Sequence, residues 1–199
     1  MTASLRQNHK PLILASASPR RLQLLEQINI TLSQVIPADI DENALPQELP
    51  RDHALRLAKQ KAHKIADSNK GTFILAADTV VACGRRILPK AETEEQARQC
   101  LKLLSGRRHH VYGGICIITD CGKEITRLCD TTVTFKTFTP QEIETYIHGG
   151  EWNGKAGGYA IQGLAASYIS FMQGSYSNVV GLSLYDTMQI LRGNGFFHP

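Results

Sequence analysis

The chain of 199 residues has no apolar run approaching the ~18 residues that a membrane span requires. One stretch could pass for a secretory leader, PLILASAS from Pro11, but its apolar core is too short and it leads straight into Pro19-Arg20-Arg21. A cytoplasmic protein with no membrane partner is the expectation. The five cysteines (Cys83, Cys100, Cys116, Cys121 and Cys129) are odd in number and contain no C-x-x-C pair, which argues against both a disulfide framework and a zinc site. Several are expected to pack as small core residues. Charge of one sign is also scarce: 22 Lys and Arg against 18 Asp and Glu leave a net +4, too little to point to nucleic acid. Internal repeats, linkers and low-complexity tracts are missing. What is left is 42% hydrophobic and 20% charged residues, an ordinary globular composition. The length suffices for one domain or two small lobes, with roughly 70% of the unfolded surface buried.

Along the chain, PLILAS reads as a buried strand, and Ser18-Pro19 as a helix start with a hydroxyl cap and proline at the first helical position. Strand, short turn and helix in that order suggest an α/β protein. ITLSQVIPADIDE (30–42) reads as a second strand running into an acidic turn at Asp39, Asp41 and Glu42. A longer helix follows over 51–70, then a strand over 72–84, apolar except for Asp78 and Thr79. A helix over 91–106 is marked by a Thr93/Gln96 capping box and by Gly106. Two or three antiparallel strands are expected over 110–138, turning at Asp120 to Lys123. Thr139, Pro140 and Glu142 open a helix that closes at Gly149 and Gly150. A glycine-rich segment, two short strands and a last helix near LSLYDTMQILRG complete the chain.

The charges raise the functional question. Arg20 and Arg21 sit in the first turn of a helix, where the dipole already disfavours cations by about 0.3 to 1 kcal/mol each. Either the pair is exposed and screened by water, or an anion such as a polyphosphate relieves the repulsion. Lys61 falls near the middle of the apolar stripe Ala54, Leu57, Ala58, Ala62, Ile65. It either snorkels from the core edge or reaches an anion. Asp78 lies inside a strand, where a carboxylate is costly unless a cation or metal meets it; otherwise Asp78-Thr79 is a bend between two shorter strands. Glu42, with Asp41 beside it, adds a carboxylate, and with Asp78 it offers oxygen ligands for Mg²⁺ or Mn²⁺ that also carries substrate phosphates. Lys90 joins the cationic set, and Ser16 has a hydroxyl to offer a phosphate. Gly149, Gly154 and Lys155 satisfy the spacing of a phosphate-binding G-x-x-x-x-G-K loop, but Ala156 stands where that loop needs a hydroxyl and a helix precedes it rather than a strand. Those glycines more readily allow backbone to approach a ligand, with the Gln162 amide able to read a base edge. His53 and His63 read as surface residues, and His109 and His110 show no catalytic spacing.

The segments LILASASPRRLQLLEQI, DIDE, RLAKQKA, AADTVV, KAGGYAIQGL and YSNVVGLSL occur in an order that resembles the Maf family of nucleoside triphosphate pyrophosphatases. The resemblance spans nearly the whole chain. It implies a single Maf-like domain over 1–199 of the Maf and ITPase-like α/β kind, an extended mixed sheet flanked by helices with two lobes around a central cleft, and a homodimer. By position, Asp78 resembles the proton acceptor and Glu42 the acidic residue that works with it or with metal. Ser16, Arg20, Arg21, Lys61 and Lys90 match triphosphate-handling positions, and Arg20, Thr79 and Gln162 match positions tied to substrate choice. The KAGGYAIQG form is similar to the subgroup acting on dTTP and UTP. The activity so implied is metal-dependent hydrolysis to the monophosphate and pyrophosphate, with Asp78 open to either of two roles, base or ligand. A non-catalytic nucleotide-binding regulator of cell division and a kinase-like or γ-phosphate NTPase are the alternatives.

Overall fold

The protein is described by a computed structural model over residues 9–197. Its strands are β1 (Leu12–Leu14), β2 (Gln34–Val35), β3 (Phe73–Cys83), β4 (Arg86–Leu88), β5 (Lys90–Ala91), β6 (Arg108–Ile118), β7 (Glu124–Phe135), β8 (Lys155–Ala156) and β9 (Ile169–Gln173). The helices are α1 (Pro19–Gln27), α2 (Pro50–Ala66), α3 (Glu94–Leu104), α4 (Pro140–His148), α5 (Tyr176–Val180) and α6 (Leu184–Gly193). Seven strands form one mixed sheet in the order β2-β1-β3-β6-β7-β9, with β4 folded back on β3; β5 and β8 make a separate ribbon. β1 runs parallel to β2 and β3, and the other pairings are antiparallel. The expected mixed α/β sheet flanked by helices is what the chain forms.

Two cores cover the two faces of the sheet. On one face α2 packs its small side chains, Ala58, Ala62 and Ala66, against Ile13, Ile74, Ala76 and Cys116. The other face carries the larger core, including Phe73, Leu75, Leu104, Phe135 and Tyr146. The alternation of strand side chains sends Ile74, Ala76 and then Asp78 toward α2, and Leu75, Ala77 and then Thr79 the other way. Across the ladder, Asp78 pairs with Gly114 and Thr79 with Gly113. Both glycines are steric necessities: a Cβ on Gly114 would lie 2.1 Å from the Ala54 carbonyl oxygen of α2, and one on Gly113 would lie 1.8 Å from Asn178 Oδ1 of α5. Adjacent glycines therefore let one helix approach each face at the level of Asp78 and Thr79.

Several sequence expectations are corrected here. The second strand shrinks to two exposed residues, because its partner β1 ends at Leu14 and offers nothing further to pair with, and an irregular loop runs on to Glu48. Strand β3 is continuous through Asp78 and Thr79, so there is no bend between shorter strands. Of the two short strands expected near the end only β9 follows the glycine-rich segment. Ser175 caps the amide of Asn178 and starts α5 instead. Ser18 occupies the cap position of α1 but its hydroxyl caps nothing; the Ser18 N–H donates to Ser16 Oγ at 3.2 Å. His53 is buried, not surface, whereas His63 is exposed as expected. The capping boxes at Thr93 and Thr139 are formed, and Cys100 and Cys116 are core residues.

Gly114→Ala should force α2 away from the sheet and cost about 2–3 kcal/mol as overpacking. At about 2–4 °C per kcal/mol for a chain of this size, Tm falls by about 4–12 °C. Gly84→Ala, whose Cβ meets nothing at φ +60°, should cost only the left-handed backbone penalty of about 1 kcal/mol. Equal melting of the two variants contradicts the helix contact.

Candidate active site

Pairing between β1 and β3 ends at Leu14–Leu75. Beyond it β1 turns into α1 while β3 continues, leaving that edge of β3 open at Asp78. A cleft of about 330 Å³ occupies the gap, at the carboxyl end of the parallel strands, where open α/β sheets place ligands. Every site residue expected from the sequence borders it: Ser16, Arg20, Arg21, Glu42, Lys61, Asp78, Thr79, Lys90 and Gln162. Lys90 is delivered by the β5–β8 ribbon, in which it pairs with Ala156.

Lys61 is the centre of the cleft. Its side chain is 7% exposed, and Nζ lies 2.6 Å from Asp78 Oδ1 and 2.5 Å from Glu42 Oε1. The other Glu42 oxygen accepts from Lys90 Nζ. Burial alone would raise the Glu42 pKa, but hydrogen bonds and charge from Lys61 and Lys90 outweigh it and bring it down to about 2, so Glu42 is an anion at neutral pH. Of the readings open to Lys61, the snorkelling stem is excluded: the ammonium is buried and bonded.

The arginine pair divides in role. Arg21 is buried; Nε donates to Gly181 O at 2.9 Å, Nη1 to Ser16 Oγ at 2.9 Å and Nη2 to Thr79 Oγ1 at 3.3 Å. Its repulsion by the helix dipole is met mainly by fixed protein oxygens. Burial chiefly lowers its pKa, and Asp78 counteracts this while Arg20 adds to it. Arg20 is different: Nε donates to Val180 O at 3.2 Å, and no carboxylate pairs with it among the described residues. Lys155, which the sequence presented only as part of an incomplete phosphate loop, also borders the cleft. Its Nζ donates to Asn153 O at 2.9 Å, and burial first, then the charge of Arg20, lowers its pKa. Ala156, which rules out a phosphate loop, does not disqualify the lysine beside it; what places Lys155 is its pairing with Ala91, which no local motif announces. Among the described residues, five cationic side chains and two carboxylates thus line the cleft, an excess suited to a polyanion.

Tyr159, which borders the cleft, bonds through its hydroxyl to His109 Nε2 behind it at 2.9 Å. His109 is fully buried, and that burial brings its pKa down to about 4. Among the described residues no three His, Cys, Asp or Glu side chains gather as a metal cage. Glu42 and Asp78, converging on one ammonium, supply the two carboxylates that Mg²⁺ or Mn²⁺ takes when phosphates and water complete its shell, so the donor set fits such an ion.

The sheet and its cleft define an α/β protein with a cation-rich, carboxylate-bearing pocket at a strand end. The chain belongs to the Maf-like protein family, whose profile matches residues 11–194. A "dTTP/UTP pyrophosphatase" of Paramagnetospirillum magneticum is 62% identical over 185 residues, covering 93% of this chain and 97% of that one. One of the same description from Caulobacter vibrioides is 56% identical over 93% of this chain and 96% of its own. Among solved structures, a nucleoside-triphosphatase/dITP/XTP pyrophosphatase of Mycobacterium abscessus is 15% identical with a TM-score of 0.40, over 63% of this chain and 72% of that one. The family assignment stands on the sequence matches alone.

Removing Lys61 leaves a buried carboxylate without its partner, so Lys61→Met should cost about 3–5 kcal/mol, whereas Lys90→Met, at a half-exposed ion pair, should cost under about 1 kcal/mol. Chemical denaturation of both variants checks this, and equal losses contradict the buried bridge. For His109 the sign follows from its depressed pKa: the unfolded chain takes up a proton near pH 6.5 and the folded one only near pH 4, so stability falls as pH drops through that window. His109→Gln should remove that component of the pH dependence of unfolding; an unchanged slope contradicts a neutral buried imidazole.

Proposed function

We propose that this protein is a nucleoside triphosphate pyrophosphatase acting on dTTP and UTP, cleaving them to the monophosphate and pyrophosphate. The observation that carries the reading is the Lys61 ammonium held between Asp78 and Glu42 at the floor of a cleft with three excess positive charges. The relatives named for this activity cover nearly the same length, which supports it. In this reading Asp78, which borders the cleft, accepts a proton from the attacking water, and Lys61 fixes its orientation. Lys90, Arg20 and Lys155 face the phosphate chain and stabilise charge gathering on the departing pyrophosphate, the dominant requirement of phosphoryl chemistry. Arg21 holds Ser16 and Thr79 in the wall and gives the cradle its shape. Thr79 and Gln162 meet the base or sugar.

Glu42 and Asp78 would hold a divalent cation. Such an ion, when bound, supplies charge neutralisation and a more acidic water. The reading further includes a single domain whose main sheet and ribbon form two lobes, a homodimer and a cytoplasmic location. No described helix is long and apolar enough to cross a membrane, which is compatible with that placement.

Digests of dTTP and UTP with Mg²⁺, resolved by anion exchange, should yield monophosphate and pyrophosphate. Asp78→Asn should lower the rate by about 10²–10⁴-fold, the usual worth of a general base. Orthophosphate and a diphosphate would establish a γ-phosphate NTPase or kinase, and nucleotide binding without turnover would establish a regulator; either outcome rejects the proposal.

A further inference from the structure

Glu42 sits on a loop, 36–48, that the backbone scarcely holds. The Ile36 N–H donates to Leu14 O at 3.0 Å at one end, and the Glu48 N–H to Leu45 O at 3.1 Å at the other. Between these points the loop leans on side chains of α2. Lys64 donates to the Asp39 carbonyl, Lys61 grips the Glu42 carboxylate, and Arg56 Nη2 donates to the Asn43 carbonyl at 2.9 Å. Asn43 is the residue next to Glu42, so Arg56 fixes the Asn43–Ala44 peptide, one peptide unit beyond the residue that carries the carboxylate.

Arg56 is itself immobilised. It forms a two-pronged pair with Glu48, Nε to Oε1 at 2.6 Å and Nη2 to Oε2 at 2.9 Å, and Nη1 donates to Gln60 Oε1 at 3.0 Å. Glu48, with a side chain only 8% exposed, also accepts the Leu45 N–H at 2.9 Å and meets His53 Nδ1 at 2.8 Å. Its carboxyl group is held down at about 2, chiefly by the Arg56 hydrogen bond acting against burial, so the pair is ionised at neutral pH. Asp41 Oδ1 accepts the Asn43 N–H at 2.9 Å, closing a tight turn around Glu42. Neither Arg56 nor Glu48 borders the cleft. A brace of helix α2 alone would need no bond to Asn43.

We infer that the Arg56–Glu48 pair is a positioning device, clamping the loop so that Glu42 is presented to Lys61 and Lys90 at the mouth of the cleft. The inference rests on the reading of Glu42 given above. The planar guanidinium serves Glu48 and the Asn43 carbonyl simultaneously, which an ammonium on a flexible stem cannot reproduce.

A mutant cycle with UTP as substrate, combined with amide hydrogen exchange, tests it. Arg56→Ala should lower kcat/KM by about 10- to 100-fold, the usual effect of losing a residue that orients a working ligand. Arg56→Lys should fail to rescue it. In a Glu42→Gln background Arg56→Ala should cost nothing further, because the clamp acts through Glu42. Exchange of amides in 39–47 should accelerate in Arg56→Ala while those of β3 and β6 stay protected. Multiplied losses in the double variant, rescue by lysine, or unchanged exchange in the loop each overturn the clamp. Full activity of Glu42→Gln alone is a different failure: it removes the reading of Glu42, and accelerated exchange accompanied by full activity leaves a clamp with no chemistry to serve and overturns the proposal too.

Discussion

A buried ammonium shared by two carboxylates is the constraint around which this structure is arranged. Desolvating the Lys61 ammonium and the Asp78 carboxylate is costly, and their attraction, with that of the half-buried Glu42, offsets that cost only when the geometry is good and the remaining lone pairs are served. The fold meets the requirement with three separate segments. Strand β3 sets Asp78 by alternation, α2 sets Lys61 at the middle of an otherwise apolar face, and the 36–48 loop folds Glu42 over both. Gly114 lets α2 come close enough for the bridge to form, and the alanine-lined interface keeps it there.

The cleft that results has two electrical halves. Around Lys61 and Lys90 the cations are neutralised by Glu42 and Asp78; toward Arg20 and Lys155 no carboxylate answers them among the described residues. On the proposed function, a phosphate chain lying across such a cleft would be oriented by it, its terminal charge drawn to the half without counter-ions and the linkage behind it left beside Asp78. Arg21, although the sequence groups it with Arg20, belongs to the scaffold: its donors fix Gly181, Ser16 and Thr79 in one wall. Charge near a helix start thus serves two purposes in adjacent residues.

How much of this was legible beforehand depends on how local the signal is. Capping boxes at Thr93 and Thr139, the stripe around Lys61 and the lone carboxylate in β3 are short-range patterns, and each led to an element that forms or to a residue that borders the cleft. Burial of His53 was not legible, because it follows from Glu48 folding back onto α2. Lys155 was missed because the β5–β8 pairing that brings it to the cleft joins residues far apart in sequence. The shortening of the second strand was not legible, because it follows from the end of its partner β1 at Leu14 and not from any pattern within 30–42. The division of labour between Arg20 and Arg21 needed the position of the Gly181 carbonyl, which comes from the far end of the chain.

The most direct measurement is the coupling between Lys61 and Asp78 in unfolding free energy, obtained from Lys61→Met, Asp78→Asn and the double variant. The double variant should be more stable than Lys61→Met alone, because the second change neutralises the carboxylate stranded by the first, giving a coupling of about 2 kcal/mol or more. Losses that simply add would mean that the two groups do not share a buried bridge, and the arrangement of the cleft described above would be contradicted.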